Sequence, residues 1–255
     1  MHDQPLHEEL RYRPTEIESR LRSTWHSEAD PFIDTDSNAD LANLRSLAFD
    51  DFFTRCHRMY ATIHPELAEP EIADVPAELR PLAQTIGCQM SHISSHTLAS
   101  QVSNAKPVSG YIAYSADLTR VALLRTKQFA ETLDTELIDF AGPERFLQRL
   151  WRLCRTETPN LRNVRYGPPI QTDTEIIEAM TVFSNSCFEA FGRRSAGQYL
   201  AAVATANNDL HRYVFSELGP QADTVEEAIK SLTLHLAPLC PFMAAELWAL
   251  RFQKS

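Results

Sequence analysis

Glycine is scarce: the 255 residues hold seven, dispersed at Gly87, Gly110, Gly142, Gly167, Gly192, Gly197 and Gly219. None of them forms a phosphate-cradling loop of the GxGxxG or GxxxxGK type, so nothing marks a glycine-rich nucleotide-binding turn. Long apolar runs are missing too. None approaches the roughly 18 residues that a membrane-spanning helix needs, and no membrane partner is expected. Met1-His2-Asp3-Gln4-Pro5 is not a basic cap followed by an apolar segment, so no signal peptide is expected. Five unevenly spaced cysteines do not make a disulfide framework, and a reducing cytoplasm is the default location. Strand-like alternation is nearly absent; Tyr111-Ile112-Ala113-Tyr114 is too short to carry a sheet.

What is present is an ordinary globular mix, 44% hydrophobic and 23% charged, with a net charge of −10. That charge argues against a general polyanion binder, and no DNA partner is expected. Its distribution is uneven. Residues 1–114 hold nine Lys/Arg against 17 Asp/Glu, a net −8, and residues 115–255 hold 15 against 17, a net −2. Residues 143–165 reverse the sign, with six arginines against Glu144 and Glu157, a net +4.

Helical periodicity dominates the chain. Helices are expected over Tyr12–His26, with Pro14 in its first turn, over Leu41–Ile63 and over Glu78–Ser103. The second half predicts Ser115–Thr132, Pro143–Thr156, Thr174–Arg193, Ala196–Glu217 and Thr224–His235, and a last helix opened by Pro238 and Pro241 and running to Phe252. Asp30–Asp40 and Pro65–Pro76 read as linkers. The fold class is all-α, with a helical segment over 1–114 and a helical bundle over 115–255.

Three blocks, Tyr12-Arg13-Pro14-Thr15-Glu16-Ile17-Glu18 near the start, Ser115-Ala116-Asp117-Leu118-Thr119-Arg120 with the arginine helix in the middle, and Ala237-Pro238-Leu239-Cys240-Pro241 near the end, together resemble the leucyl-tRNA synthetase family of class I aminoacyl-tRNA synthetases. Tyr12-Arg13-Pro14-Thr15-Glu16-Ile17-Glu18, followed by Trp25, is similar to that family's opening, with Leu21 in place of the first of two tryptophans. Ser115-Ala116-Asp117-Leu118-Thr119-Arg120, leading on to Arg145-Phe146-Leu147-Gln148-Arg149-Leu150-Trp151-Arg152-Leu153, looks like its exit from the catalytic domain. Ala237-Pro238-Leu239-Cys240-Pro241 through Glu246-Leu247-Trp248 is similar to the tail of its helical anticodon-binding domain. The resemblance implies that fold and a tRNA partner. It does not carry the family's chemistry. These residues contain no His-x-Gly-His, and the place of Lys-Met-Ser-Lys-Ser is taken by His96-Thr97-Leu98-Ala99-Ser100. The lysines that would neutralise charge as pyrophosphate leaves are gone. Trp25 and His96 are about 70 residues apart, too few for a doubly wound sheet whose βαβ units need ~30 residues each. Leucine activation by the family mechanism is not expected, and no cofactor is expected.

The candidate tRNA-binding residues are arginines. Arg145, Arg149 and Arg152 stand at i, i+4, i+7 and share a helical face, which Arg155 continues approximately. Phe146, Leu150, Leu153 and Cys154 form the opposite stripe. A guanidinium row of this kind suits phosphates; the plainer alternative is a solvated face paired with acids of the first half. Arg162 and Arg165 flank a polar loop with Tyr166, whose ring suits stacking on an exposed base or packing on the domain. Arg193 and Arg194 suit either tRNA or a helix C-terminus. Cys88, His92 and His96 would line one helix face as a weak candidate zinc site, and Cys56-His57 is a weak nucleophile candidate. Trp151, Trp248, Leu234, Leu236, Leu239, Phe242 and Leu247 read as packing residues. The leading expectation is a catalytically degenerate relative that binds tRNA. A protein-interaction module with a protein partner or self-association, and a transferase or hydrolase acting on aminoacyl-tRNA, are the alternatives.

Overall fold

A computed structural model describes residues 11–25, 41–67, 72–73, 93–94, 115–125, 140–156, 164–215 and 219–253. These form eight helices: α1 (Pro14–Trp25), α2 (Leu41–Ala61), α3 (Ala116–Leu124), α4 (Ala141–Arg155), α5 (Gln171–Gly192), α6 (Ala196–Val214), α7 (Ala222–Leu236) and α8 (Pro241–Arg251). The fold is all-α. Among the described residues the paired strands are β1 (Ile72–Ala73) and β2 (Ile93–Ser94), antiparallel, with Ile72 facing Ser94 and Ala73 facing Ile93, and a single parallel bridge joins Arg165 to Gln221.

That pairing corrects one expectation. Ile93 and Ser94 are extended, so a single helix does not run through 78–103. The reason is local. Ser91, Ser94 and Ser95 surround a β-branched Ile93, and serine side chains compete with helical backbone bonds while branching restricts the side chain.

Elsewhere the helices start where local chemistry places them. Pro14 and Pro241 sit at first-turn positions, where a missing N–H costs nothing. The Ser115 hydroxyl accepts from Leu118 N at 3.2 Å and caps α3, and Ser195 accepts from Gln198 N to cap α6. Helix α5 ends in a Schellman turn: Ser195 N donates to Ala190 O and Arg194 N to Phe191 O, both at 2.9 Å.

One hydrophobic core takes residues from both halves of the chain. Helix α5 packs on α6 and α7, and α8 packs on α1, α4 and α7. From the first half, α2 inserts Leu44, Leu47, Phe52 and Cys56, all fully buried. Phe52 meets Tyr199 of α6 edge-on at 5.1 Å, and Tyr60 meets Phe188 of α5 at 5.0 Å. Two packing expectations need correction. Leu234 is 43% exposed, because it sits two residues from both buried Leu232 and Leu236 and so lies on the other face of α7. Trp248 is half-buried, its ring tilted against that of Phe252 at 5.0 Å, outside the core.

Candidate nucleic-acid interface

The three signature blocks meet in one buried polar hub. Glu18 of α1 accepts from Ala116 N at 2.9 Å and Asp117 N at 3.1 Å, so its carboxylate caps the start of α3. Asp117 does the same for α8, accepting from Phe242 N at 3.3 Å and Met243 N at 2.7 Å. A carboxylate at a helix N-terminus satisfies orphan N–H groups and meets the positive end of the dipole. Tyr12 donates its hydroxyl to Asp117 at 3.3 Å and its backbone N–H to Gln148 Oε1 at 3.1 Å. Its ring lies 5.3 Å from that of Trp151.

Arg120 completes the hub. It is fully buried, donates to Pro238 O at 2.8 Å and Leu239 O at 3.1 Å, and pairs with Asp51 at 2.7 Å. Glu246 of the tail pairs with Arg20 of α1 at 2.6 Å. Burial pushes the Asp117 carboxyl up to about 6, against the opposing pull of the Met243 N–H, Arg120 and the Phe242 N–H. Tyr12, Glu18, Asp117, Arg120 and Glu246 therefore hold helices together, and all five are buried.

The solvent face belongs to α4. Arg145, Arg149 and Arg152 are exposed along one side, and Arg155 is half-buried. Leu147, Leu150, Trp151, Leu153 and Cys154 are buried on the other side, and Phe146 is half-buried against the core. Among the described residues no acid pairs with Arg145, Arg149 or Arg152. The described first-half acids with a recorded partner are spent elsewhere: Glu18 on α3, Asp51 on Arg55 and Arg120, Glu16 on Arg13, and Glu66 on His64.

Packing adds a neighbour that spacing does not reveal. Helix α6 lies against α4, and His211 in its last turn comes near Arg149. Burial first, and then the Arg149 charge, hold the His211 imidazolium below its usual range. No sequence pattern links positions 149 and 211; only the contact between the two helices does.

The other candidate arginines are dispersed. Arg165 is a brace: it pairs with Asp173 at 2.6 Å and donates to Pro168 O at 2.6 Å and Gly219 O at 3.1 Å. Asp173 also accepts from Ile170 N at 2.7 Å and Gln221 N at 2.6 Å, joining the 164–170 loop, the start of α5 and the entry to α7. Arg193 pairs with Glu189 at the end of α5. Arg194 adopts a φ of 50° and lays its guanidinium 5.1 Å over the Phe53 ring. Tyr166 is 74% exposed, not packed on the domain. Arg162 lies outside the described residues.

The other chemical candidates are not supported by geometry. Cys56 is fully buried, and desolvation followed by the neighbouring Cys187 pushes its thiol well up, the reverse of an activated nucleophile. Cys88, His92 and His96 lie outside the described residues. Among the described residues, no group of three or more His, Cys, Asp or Glu is placed to hold a metal ion. Nor is any described helix long and apolar enough to cross a membrane.

No protein-family model matches the chain. Curated relatives do. The chain is 30% identical over 143 residues to the leucine–tRNA ligase of Synechococcus sp. (strain RCC307), covering 53% of this chain and 16% of that protein. It is 31% identical over 139 residues to that of Mycobacterium sp. (strain KMS), covering 53% and 13%. A longer match of 181 residues at 24% identity, to that of Parasynechococcus marenigrum (strain WH8102), covers 69% and 21%. Among solved structures, the agnB2 LeuRS of Agrobacterium radiobacter K84, in its ternary complex with tRNA and LeuAMS, has a TM-score of 0.48 at 21% identity, covering 59% of this chain and 20% of that one. The chain is thus similar to leucine–tRNA ligases over about half its length, and spans between 13% and 21% of those curated relatives.

Proposed function

We propose that this leucine–tRNA-ligase-like chain binds tRNA on the exposed face of α4 and does not itself activate leucine. The observation that carries this reading is the row of Arg145, Arg149 and Arg152, exposed on one helix face with no acid paired to it among the described residues. A structural basic face in a chain of net charge −10 would be expected to gather acidic partners; among the described residues this row has none. Each guanidinium laid on a phosphate releases condensed counterions, so binding should fall steeply with salt. The absence of His-x-Gly-His from these residues, and the His96 and Ala99 found in place of lysines, support the second half of the proposal.

The test is tRNA retention in filter binding at low salt, with the triple variant Arg145→Glu, Arg149→Glu, Arg152→Glu alongside. Wild type should retain tRNA with an affinity that drops as salt rises. The triple variant should lose most of that affinity and lower the salt slope by about three. No retention by the wild type at low salt would refute RNA binding. Leucine-dependent exchange of pyrophosphate into ATP should be absent.

A further inference from the structure

Tyr12 ties the lead-in to α1 against the arginine helix. Its backbone N–H donates to Gln148 Oε1 at 3.1 Å, and its ring lies 5.3 Å from that of Trp151. Gln148 stands three residues after Arg145 and four before Arg152, so on α4 it borders both arginines. The peptide group that Gln148 holds is the one joining Arg11 to Tyr12. Arg11 is therefore fixed at the edge of the α4 row, although it belongs to the other half of the chain.

That placement is held from several sides. Glu18 accepts from Ala116 N and Asp117 N, the Tyr12 hydroxyl donates to Asp117, and Arg20 pairs with Glu246. The lead-in is anchored on α3, α4 and α8 before any ligand arrives, which spares the ligand the cost of ordering it. The described arginine side chains of this segment differ in their engagement. Arg13 pairs with Glu16 at 3.4 Å and Arg20 with Glu246 at 2.6 Å. Arg11 is exposed, and among the described residues no acid or hydrogen-bond partner engages its side chain. Arg145, Arg149 and Arg152 share that condition. Cations gathered on one face without acids repel one another, and a polyanion laid across them relieves the repulsion. A phosphate backbone suits such a face because it repeats its charge along its length.

We infer that Arg11 is a fourth phosphate-binding group, and that the RNA face is built jointly by the lead-in to α1 and by α4. The inference rests on the RNA-binding reading. It adds a contact from the half of the chain whose net charge is −8.

The test is filter binding of tRNA across a salt series on wild type, the triple α4 variant, Arg11→Ala and Arg11→Lys. Lys230→Ala, which removes a cation paired with Glu227 on α7, serves as the charge control. Arg11 is exposed, so neither substitution there should disturb the fold. Arg11→Ala should lower the salt slope by about one, so that the advantage of wild type shrinks about threefold as salt rises from about 50 to about 200 mM. Arg11→Lys keeps a cation and should keep the slope, and Lys230→Ala should leave it unchanged. An unchanged slope for Arg11→Ala, the result expected if Glu8 or Glu9 neutralises Arg11, overturns the inference. So does an equal fall for Lys230→Ala, which would mark a bulk effect of charge. Loss of affinity in the triple α4 variant with no change in Arg11→Ala overturns this inference alone. Failure of wild type to bind tRNA at low salt removes the underlying reading instead.

Discussion

Arg194 carries two opposing effects in one side chain. Its φ of 50° lies in the left-handed region, which costs a residue with a Cβ about 1–2 kcal/mol. The Schellman turn that ends α5 imposes that conformation, and the guanidinium over Phe53 offsets part of the cost. Removing the side chain separates the two effects. Arg194→Gly should be more stable than Arg194→Ala by about 1 kcal/mol in urea unfolding, because both lose the ring contact and only glycine relieves the backbone. Arginine at this position is legible as a helix end in sequence. Its strained backbone is not, because glycine, the usual residue for such a turn, stands two positions earlier at Gly192.

At the scale of elements, the start of α8 depends on a single carboxyl from α3. Asp117 holds the Phe242 and Met243 N–H groups, and these have no other turn of helix before them to bond. Asp117→Asn places an amide N–H₂ where one of those donors needs an acceptor. It should cost about 1–3 kcal/mol, read as a lower urea midpoint. The pH dependence follows from burial. With its folded pKa pushed up to about 6 and its unfolded value near 3.9, the folded chain binds more protons than the unfolded chain between the two. Asp117 therefore contributes stability that is lost as pH rises from about 4 to about 6. The difference in midpoint between wild type and Asp117→Asn should shrink across that window; a constant difference would mean the carboxyl stays ionised in the fold.

For the whole molecule, the two halves are interdependent in the described residues. Residues 115–255 alone would lose Asp51 from Arg120, Glu18 from the start of α3, and the Tyr12 ring from Trp151. A buried arginine stripped of its partner costs on the order of 3–5 kcal/mol, and the place of Phe52 against Tyr199 would be empty. We expect that fragment to lack a cooperative thermal transition while the full chain has one, as read by circular dichroism. A cooperative melt of the fragment would show that the bundle does not need α1 and α2.

By itself the sequence determined the helical class, most helix boundaries and the arginine face of α4. These depend on a 3.6-residue period and on caps within a few positions of one another. The tertiary structure decided which signature residues are structural. Glu18 reaches Ala116 across 98 positions, and Asp117 reaches Met243 across 126. It also brought His211 within reach of the Arg149 charge and tied half-buried Arg165 into a brace. No local pattern specifies such pairs, because they follow from how helices pack, and packing is set by the shape of the whole core.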